Sequence, residues 1–326
     1  MQIDGTLWAV TLVGLVVVFT LDFFLAVRKP HAVTMREASL WTAFYVAAAI
    51  AFGFFIAAEF GGQYAGQFYA GWLTEYSLSV DNLFVFVIIM SRFRVPRQSQ
   101  QFVLLVGIAL ALIMRAGFIA LGTAAITRFS WMFYLFGAFL IYTAYHLATH
   151  DEEESEEFRE NRVIGWVKGS LPTTETYEGN RFRTMVDGRK LFTPMLIVMV
   201  AIGTTDLLFA LDSIPAIFGL TQEPYLVFTA NAFALMGLRQ LYFLLGGLLD
   251  RLVFLSIGLA AVLGFIGIKL ILEALHTNSL PFINGGEPVE WAPEIPVTVS
   301  LAVIVTVLVV TAVASLAHTR RMGGNA

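Results

Sequence analysis

The chain alternates between long apolar stretches and short polar connections. Nine stretches each hold about 20 mainly apolar residues, the length that a helix needs to cross a bilayer. This pattern predicts an all-α, polytopic membrane protein, because a helix satisfies its own backbone hydrogen bonds where water is absent. The predicted spans run roughly through 7–27, 40–58, 68–91, 102–125, 129–149, 195–219, 225–249, 252–275 and 298–317.

Composition agrees with this class and excludes several others. Hydrophobic residues make up 58% of the 326 residues and charged residues 13%, whereas soluble proteins average about 25% charged residues. A disordered chain, a nucleic-acid-binding protein and an ordinary soluble enzyme are therefore excluded. The chain has no cysteine, so it forms no disulfide, no thiolate metal site and no cysteine nucleophile.

The positive charges predict an orientation. With nine spans, sixteen of the 20 Lys and Arg residues fall in connections on one side of the membrane, and only Arg128 lies in a connection on the other. The remaining three lie inside spans. Because cytoplasmic loops are enriched in Lys and Arg, this distribution predicts that the N-terminus lies outside and the C-terminus in the cytoplasm.

The longest polar connection, 150–193, is predicted to be cytoplasmic. It opens with an acidic run, 151–157, which we interpret as a solvated continuation of the fifth helix; a cation-attracting mouth is the alternative. Asp187 and Gly188 predict the turn of a small hairpin.

The spans and connections divide the chain into five predicted regions. They are two N-terminal helices in 1–67, a first three-helix repeat in 68–149, the cytoplasmic acidic loop 150–193, a second three-helix repeat in 194–276, and an external loop, ninth helix and cytoplasmic tail in 277–326.

The third and sixth predicted spans share an acidic pattern. In each, a carboxylate precedes an aspartate by six residues, and a small polar side chain follows that aspartate. The residues are Glu75, Asp81 and Asn82 in the third span, and Asp206, Asp212 and Ser213 in the sixth. Spans 3–5 and 6–8 are therefore predicted to be two copies of one unit. Because three helices is an odd number, the second copy is inverted, as in many secondary transporters.

Ionised carboxylates inside the membrane are costly, at least about 2.5–3.5 kcal/mol each. They persist only when they are paired, protonated, hydrated or bound to a cation. Pairing with the intramembrane bases is one alternative, but four carboxylates outnumber three bases and leave negative charge. Carboxylate, amide and hydroxyl oxygens suit Mg²⁺, Ca²⁺ or Mn²⁺. The six residues of the acidic pattern are therefore the predicted metal site.

Two geometric expectations follow from the inverted arrangement. Antiparallel third and sixth spans bring Glu75 level with Asp212, and Asp81 level with Asp206. Pro215 lacks a backbone donor and predicts a break in the sixth span near 211–214.

Four further intramembrane residues are candidates for charge coupling. Arg115 and Arg239 occupy related places in the two copies, so we expect them to hold carboxylates in position. Lys269 has no basic counterpart, and we expect it to tune proton or metal release. Asn231 fits equally a hydrogen bond between helices and a metal ligand.

These sequence patterns resemble the TerC family of integral membrane proteins, and within it the Alx-like branch. The similar stretches are EYSLSVDNLFVF (75–86), DLLFALDSIPAIF (206–218), TANAFALMGLRQLYFLL (229–245), Met114-Arg115-Ala116 and Thr193-Pro194. The resemblance implies a multi-pass inner-membrane protein of the LysE-type transporter superfamily. Its members are named for tellurium resistance, and several are linked to manganese export and to alkaline or metal stress. By position, it also implies that the six residues of the acidic pattern are functional.

Three functions compete at this stage. The first is a metal exporter with Mn²⁺ as the expected cargo, in which Ca²⁺ remains an alternative. It has no permanently bound cofactor, and its partners are the lipid bilayer and the divalent ion. No Walker A motif is present, so we expect coupling to protons or to the membrane potential. The second is a non-transporting stress-response scaffold that acts through 150–193. The third, an intramembrane enzyme, has no supporting motif. The sequence leaves the oligomeric state open.

Overall fold

The structure is a computed structural model of the chain. It describes the backbone of all residues except 2, 29–33, 130, 150–170, 175, 187–188, 246–252, 279 and 324–326. It also leaves undescribed the side chains of 23, 25–28, 81, 84, 186, 189, 212, 245 and 320–323. The acidic run 151–157 and the predicted turn at Asp187 and Gly188 lie outside the described residues. The backbones of Asp81 and Asp212 lie within helices, but their side chains are outside the description.

The described chain is built from α-helices and one short hairpin. Eight of the described helices are long and apolar enough to cross a membrane, which confirms the all-α polytopic class. The helices before the polar connection are α1 Gly5–Arg28, α2 Met35–Phe60, α3 Gly62–Arg92, α4 Arg97–Arg128 and α5 Met132–Thr149. The elements after it are β1 Arg183–Val186, β2 Arg189–Phe192, α6 Pro194–Phe218, α7 Pro224–Met236, α8 Leu238–Leu245, α9 Leu255–His276 and α10 Val297–Gly323.

Local sequence explains several helix ends. Thr193 and Pro194 begin α6, where the missing N–H and fixed φ of proline suit the first turn. Gly61 separates α2 from α3 with φ at 97°, a conformation that glycine adopts without steric cost. Thr34 caps α2 by accepting a hydrogen bond from the Glu37 backbone N–H at 3.3 Å.

The predicted break at Pro215 is wrong, because α6 continues through this residue to Phe218. Pro215 lies in the last turn, so its missing donor removes only one hydrogen bond near the end of the helix. The interruption falls instead at Gly237, between α7 and α8. Glycine has low helix propensity, and here it divides the predicted seventh span into two short helices.

Helix ends meet at two opposite faces. On the first, called the N-terminal face, the Thr221 hydroxyl donates to Gln67 Oε1 at 2.7 Å, and the Tyr134 hydroxyl donates to Asn278 Oδ1 at 3.3 Å. On the second, called the C-terminal face, the Tyr177 hydroxyl donates to the Phe93 carbonyl at 2.7 Å. Burial raises the pKa of Tyr177 to about 12.

The hairpin that the sequence predicts is present on the C-terminal face. Strands β1 and β2 pair antiparallel, with Arg183 opposite Phe192. The Phe182 ring packs against Phe102 near the start of α4, with ring centroids 6.1 Å apart. The connection before α10 is irregular, as predicted, with a short 3₁₀ turn at Asn284–Gly286.

Three apolar clusters fill the described interior, and the two larger ones lie one toward each face. The cluster toward the N-terminal face includes Leu78 and Ala210, and the cluster toward the C-terminal face includes Leu83 and Ile202. Buried polar side chains lie between the two clusters along α3, α4 and α6. The candidate functional residues therefore occupy a layer midway between the faces.

The helices of the two predicted copies pack against each other. The main contacts between the copies join α3 with α7, α4 with α6, and α5 with α9. Helices α5 and α9 cross closely, and a Cβ added at Gly267 would lie 2.9 Å from the Gly137 carbonyl oxygen. A Cβ at Gly264 would lie 3.6 Å from the Ala144 Cβ. The close partner of Gly137 is thus Gly267, one turn further along α9.

Candidate functional site

Arg115 lies at the centre of the polar layer and is 1% exposed. Its Nη1 donates to Glu75 Oε2 at 2.5 Å and to Asn231 Oδ1 at 2.7 Å. Its Nη2 lies 3.8 Å from Asp206 Oδ1, within ion-pair range but beyond a hydrogen bond. Side chains from α3, α4, α6 and α7 therefore converge on one guanidinium. We call these four residues, together with Ser213, the ion cluster: Glu75, Arg115, Asp206, Ser213 and Asn231.

The ion cluster contains polar atoms without hydrogen-bond partners among the described residues. They are Glu75 Oε1, Asp206 Oδ2, Ser213 Oγ, Asn231 Nδ2, and Nε and Nη2 of Arg115. Ser213 and Asn231 approach Glu75 closely enough to act on its carboxylate, although Ser213 Oγ and Asn231 Nδ2 do not meet the geometry of a hydrogen bond. A buried polar atom left unpaired costs about 1–3 kcal/mol. The cluster therefore offers free oxygen atoms that a further ligand could bind.

The structure brings together part of the predicted metal site. Glu75, Asp206 and Ser213 lie in the ion cluster, and Asn82 is buried further along α3 toward the C-terminal face. Ser213 lies beside Glu75. Among the side chains that the structure describes, no three His, Asp or Glu residues are placed to hold a metal ion. The six-residue metal site therefore stays a prediction, because the side chains of Asp81 and Asp212 are not described.

Arg239 forms a different pair from Arg115. Its Nη2 donates to Asp22 Oδ1 of α1 at 2.5 Å, and both side chains are 9% exposed. The Tyr45 hydroxyl of α2 faces the same carboxylate. Both arginines thus hold carboxylates, as expected. The expected symmetry does not extend to their described partners, because Arg115 lies against carboxylates of α3 and α6, whereas Arg239 pairs with a carboxylate of α1. Asp22 and Tyr45 were absent from the predicted site, and the only sequence signal was an acidic residue near the end of a span.

A cavity of about 830 Å³ opens at the N-terminal face. Lys269 lines it and is itself only 8% exposed, with Glu273 one turn further along α9. The predicted coupling residue therefore lies in this cavity rather than in the ion cluster. Other polar residues of the lining include Gln67, Thr221, Glu223 and Glu294.

An apolar layer separates this cavity from the ion cluster. Gly71 lies one turn before Glu75 on α3, toward the cavity. A Cβ placed on Gly71 would lie 3.2 Å from Ile217 Cδ1 and 3.4 Å from Ala230 Cβ. Both neighbours are fully buried. The helices α3, α6 and α7 are thus closely packed between the cavity and Glu75.

Residues 60–323, which include the whole ion cluster, match the family of integral membrane proteins called TerC. The chain belongs to the TerC family. This confirms the resemblance drawn from the acidic patterns. A membrane protein of Mycobacterium tuberculosis is 49% identical over 100% of this chain and 83% of its own length, and its name assigns it no activity.

More distant relatives cover the chain almost completely. A membrane protein of Myxococcus xanthus is 39% identical over 96% of the chain and 93% of its own length. A protein of Escherichia coli K12, named as a candidate membrane-bound redox modulator, Alx, is 34% identical over 98% of both chains. No solved structure matches the chain.

Proposed function

We propose that this TerC protein exports a divalent metal cation, with Mn²⁺ as the expected cargo. The observation that most supports this proposal is that two buried carboxylates, Glu75 and Asp206, converge on Arg115 from equivalent positions of the third and sixth spans. Each retains an oxygen without a hydrogen-bond partner among the described residues. Buried carboxylates in a membrane are functional by default, because their insertion cost otherwise removes them.

The donor chemistry supports a hard cation. Carboxylate, hydroxyl and amide oxygens surround the free positions of the ion cluster, and such oxygens prefer Mg²⁺, Ca²⁺ or Mn²⁺. Two carboxylates and one guanidinium leave a negative charge in the cluster. We expect Asp81, Asp212 and Asn82 to extend the coordination along the pathway, since they repeat at the same spacing.

Helix packing supports an inverted repeat of spans 3–5 and 6–8. In such a repeat α3 corresponds to α6, and α4 corresponds to α7. A contact between α3 and α7 therefore has its equivalent between α6 and α4, and both contacts are present. The packing of α5 against α9, the last helix of each copy, is the contact expected where equivalent helices meet across a pseudo-two-fold axis. The site then lies at the interface of the copies, where inverted-repeat transporters bind substrate.

The same proposal assigns the two faces. The N-terminal face is outside and the C-terminal face cytoplasmic, as the distribution of Lys and Arg predicts. The cavity around Lys269 is then an outer vestibule, separated from the site by the layer at Gly71. Lys269 tunes the release of the cation or of a coupled proton, and the membrane potential or protons supply the driving force.

The alternative is a stress-response scaffold that acts through 150–193, without transport and without an enzymatic reaction. The name of the Escherichia coli relative refers to redox modulation. This chain has no cysteine, so a redox role here could not use a thiol pair of its own. Such a scaffold would not use the buried carboxylates of the ion cluster. Substitution of these carboxylates therefore distinguishes the two functions.

The test is uptake of Mn²⁺, Ca²⁺, Mg²⁺ and Zn²⁺ by proteoliposomes that contain the purified protein. We expect Mn²⁺ uptake by the wild type and a loss of about tenfold or more in Glu75→Gln and Asp206→Asn, since each removes one cluster charge. Asp81→Asn and Asp212→Asn should each abolish the metal tolerance of cells without lowering the membrane level of the protein. Glu290→Gln makes the same chemical change on an exposed loop and serves as the control. Full uptake by Glu75→Gln would contradict the proposal.

A further inference from the structure

We infer that Arg115 is the resident cation of the site, which the transported metal ion must displace from Glu75 and Asp206. This inference rests on the proposed function. It assigns Arg115 a role beyond that of a fixed structural counter-ion, because the guanidinium and the metal ion then occupy the same carboxylates in turn.

The hydrogen bonding of Arg115 is incomplete. An arginine that holds a carboxylate most strongly uses two parallel N–H groups. Here a single nitrogen, Nη1, serves both Glu75 and Asn231, while Nη2 stays 3.8 Å from Asp206. Nε and Nη2 have no hydrogen-bond partner among the described residues. The guanidinium therefore holds each carboxylate through one oxygen only and leaves the other oxygen free.

Charge makes simultaneous occupation unfavourable. A metal ion bound by Glu75 Oε1 and Asp206 Oδ2 would lie within a few ångströms of the guanidinium, in a buried layer where like charges repel more strongly than in water. The repulsion is relieved when Arg115 withdraws as the metal ion binds. When the metal ion leaves, Arg115 returns and neutralises the two carboxylates. While the site is empty of metal, its two carboxylates are therefore neutralised, which avoids the cost of burying unpaired negative charges.

Arg239 provides a matched comparison within the same chain. It is also a buried arginine with one short bond to a carboxylate, that of Asp22. Among the described side chains, Arg239 pairs with the Asp22 carboxylate, which the Tyr45 hydroxyl also faces, and no second described carboxylate of α3 or α6 converges on it. A metal ion should therefore be unable to replace Arg239, although loss of either arginine strands a buried negative charge.

The experiment measures thermal unfolding of the purified full chain in detergent, with EDTA or with Mn²⁺, for the wild type, Arg115→Met and Arg239→Met. Both variants should unfold at a lower temperature than the wild type in EDTA. Mn²⁺ should raise the Tm of Arg115→Met by several degrees more than that of the wild type, because the ion replaces the lost guanidinium. It should raise the Tm of Arg239→Met no more than that of the wild type. Titration should give Arg115→Met a Kd for Mn²⁺ at least about tenfold lower than that of the wild type, since the repelling charge is gone.

Several results would overturn the inference. One is an equal Mn²⁺ effect on Arg115→Met and the wild type; another is equal rescue by NaCl at matched ionic strength. If Arg115→Met does not fold, Arg115→Gln removes the charge and retains an N–H donor for Glu75. This variant should bind Mn²⁺ more tightly than the wild type, and equal or weaker binding would overturn the inference. Failure of the proposed function is recognised separately, as absence of cation uptake by the wild type.

Discussion

The buried pair of Asp22 and Arg239 connects α1 to α8, just after the interruption at Gly237. Both side chains are 9% exposed, so little water is available to stabilise either charge alone. A buried ion pair contributes modestly when intact, but removing one partner leaves an uncompensated charge. The pair therefore fixes the position of α1 against α8.

This pair gives a prediction at the scale of single residues. Arg239→Met should lower the free energy of unfolding by about 3–5 kcal/mol, because it strands the Asp22 carboxylate. The double variant Asp22→Leu with Arg239→Met should recover most of that loss, since both charges are then absent. Unfolding in detergent measures the three variants and the wild type. Additive losses in the double variant would contradict a coupled pair.

At the scale of helices, the crossing of α5 and α9 depends on two glycines that bring the backbones together. A Cβ at Gly137 would lie 2.8 Å from the Gly267 carbonyl oxygen, and one at Gly267 would lie 2.9 Å from the Gly137 carbonyl oxygen. These neighbours are backbone atoms, which cannot rotate away as a side chain can. Small residues that permit such close approach are common where membrane helices pack.

Gly267→Ala should therefore destabilise the protein by about 1–3 kcal/mol, the range for overpacking a close interior. Gly264→Ala is the control on the same helix, because its Cβ would lie 3.6 Å from Ala144, an ordinary contact. We expect this control to be neutral or up to about 1 kcal/mol more stable, since alanine favours helix more than glycine does. The measurement is the unfolding temperature of both variants in one detergent. Similar temperatures would refute a special role for the Gly137–Gly267 contact.

At the scale of the whole molecule, contacts at the two faces fix which helix ends lie together. Gly62 begins α3 on the N-terminal face. The connection that contains Gly285 lies on the same face, where His276 Nε2 lies 2.9 Å from Glu294 Oε1. The end of α10 lies on the C-terminal face, where Ser315 accepts a hydrogen bond from the Phe254 backbone N–H at 3.0 Å. Which face is cytoplasmic follows only from the charge distribution.

The absence of native cysteine allows a direct test of orientation. Single cysteines at Gly62 and Gly285 should react with a membrane-impermeant maleimide on intact cells. Cysteines at Glu154 and Gly323 should react only after permeabilisation, because the connections rich in Lys and Arg stay in the cytoplasm. Glu154 lies outside the described residues, so its sidedness is a prediction from the sequence. Labelling of Glu154→Cys on intact cells would overturn the proposed topology.

The sequence by itself determined the membrane class and the approximate place of the eight candidate spans among the described helices. Hydropathy is a local property, and the bilayer imposes one length on each crossing, so no knowledge of packing was needed. The sequence also selected Glu75, Arg115, Asp206, Ser213 and Asn231 as candidates, because each places a polar group where burial is costly. The structure brings these five residues into one cluster.

Only the tertiary structure decided which of these residues meet. Glu75 and Arg115 are separated by 40 positions in the sequence, and Asp22 and Arg239 by 217. Such pairs depend on how helices cross and rotate, which the local pattern of apolar residues does not specify. For the same reason the sequence alone predicted a break at Pro215 rather than at Gly237, and did not place Lys269 in a separate cavity. Helix packing decides these features, because it sets which side chains share a buried space.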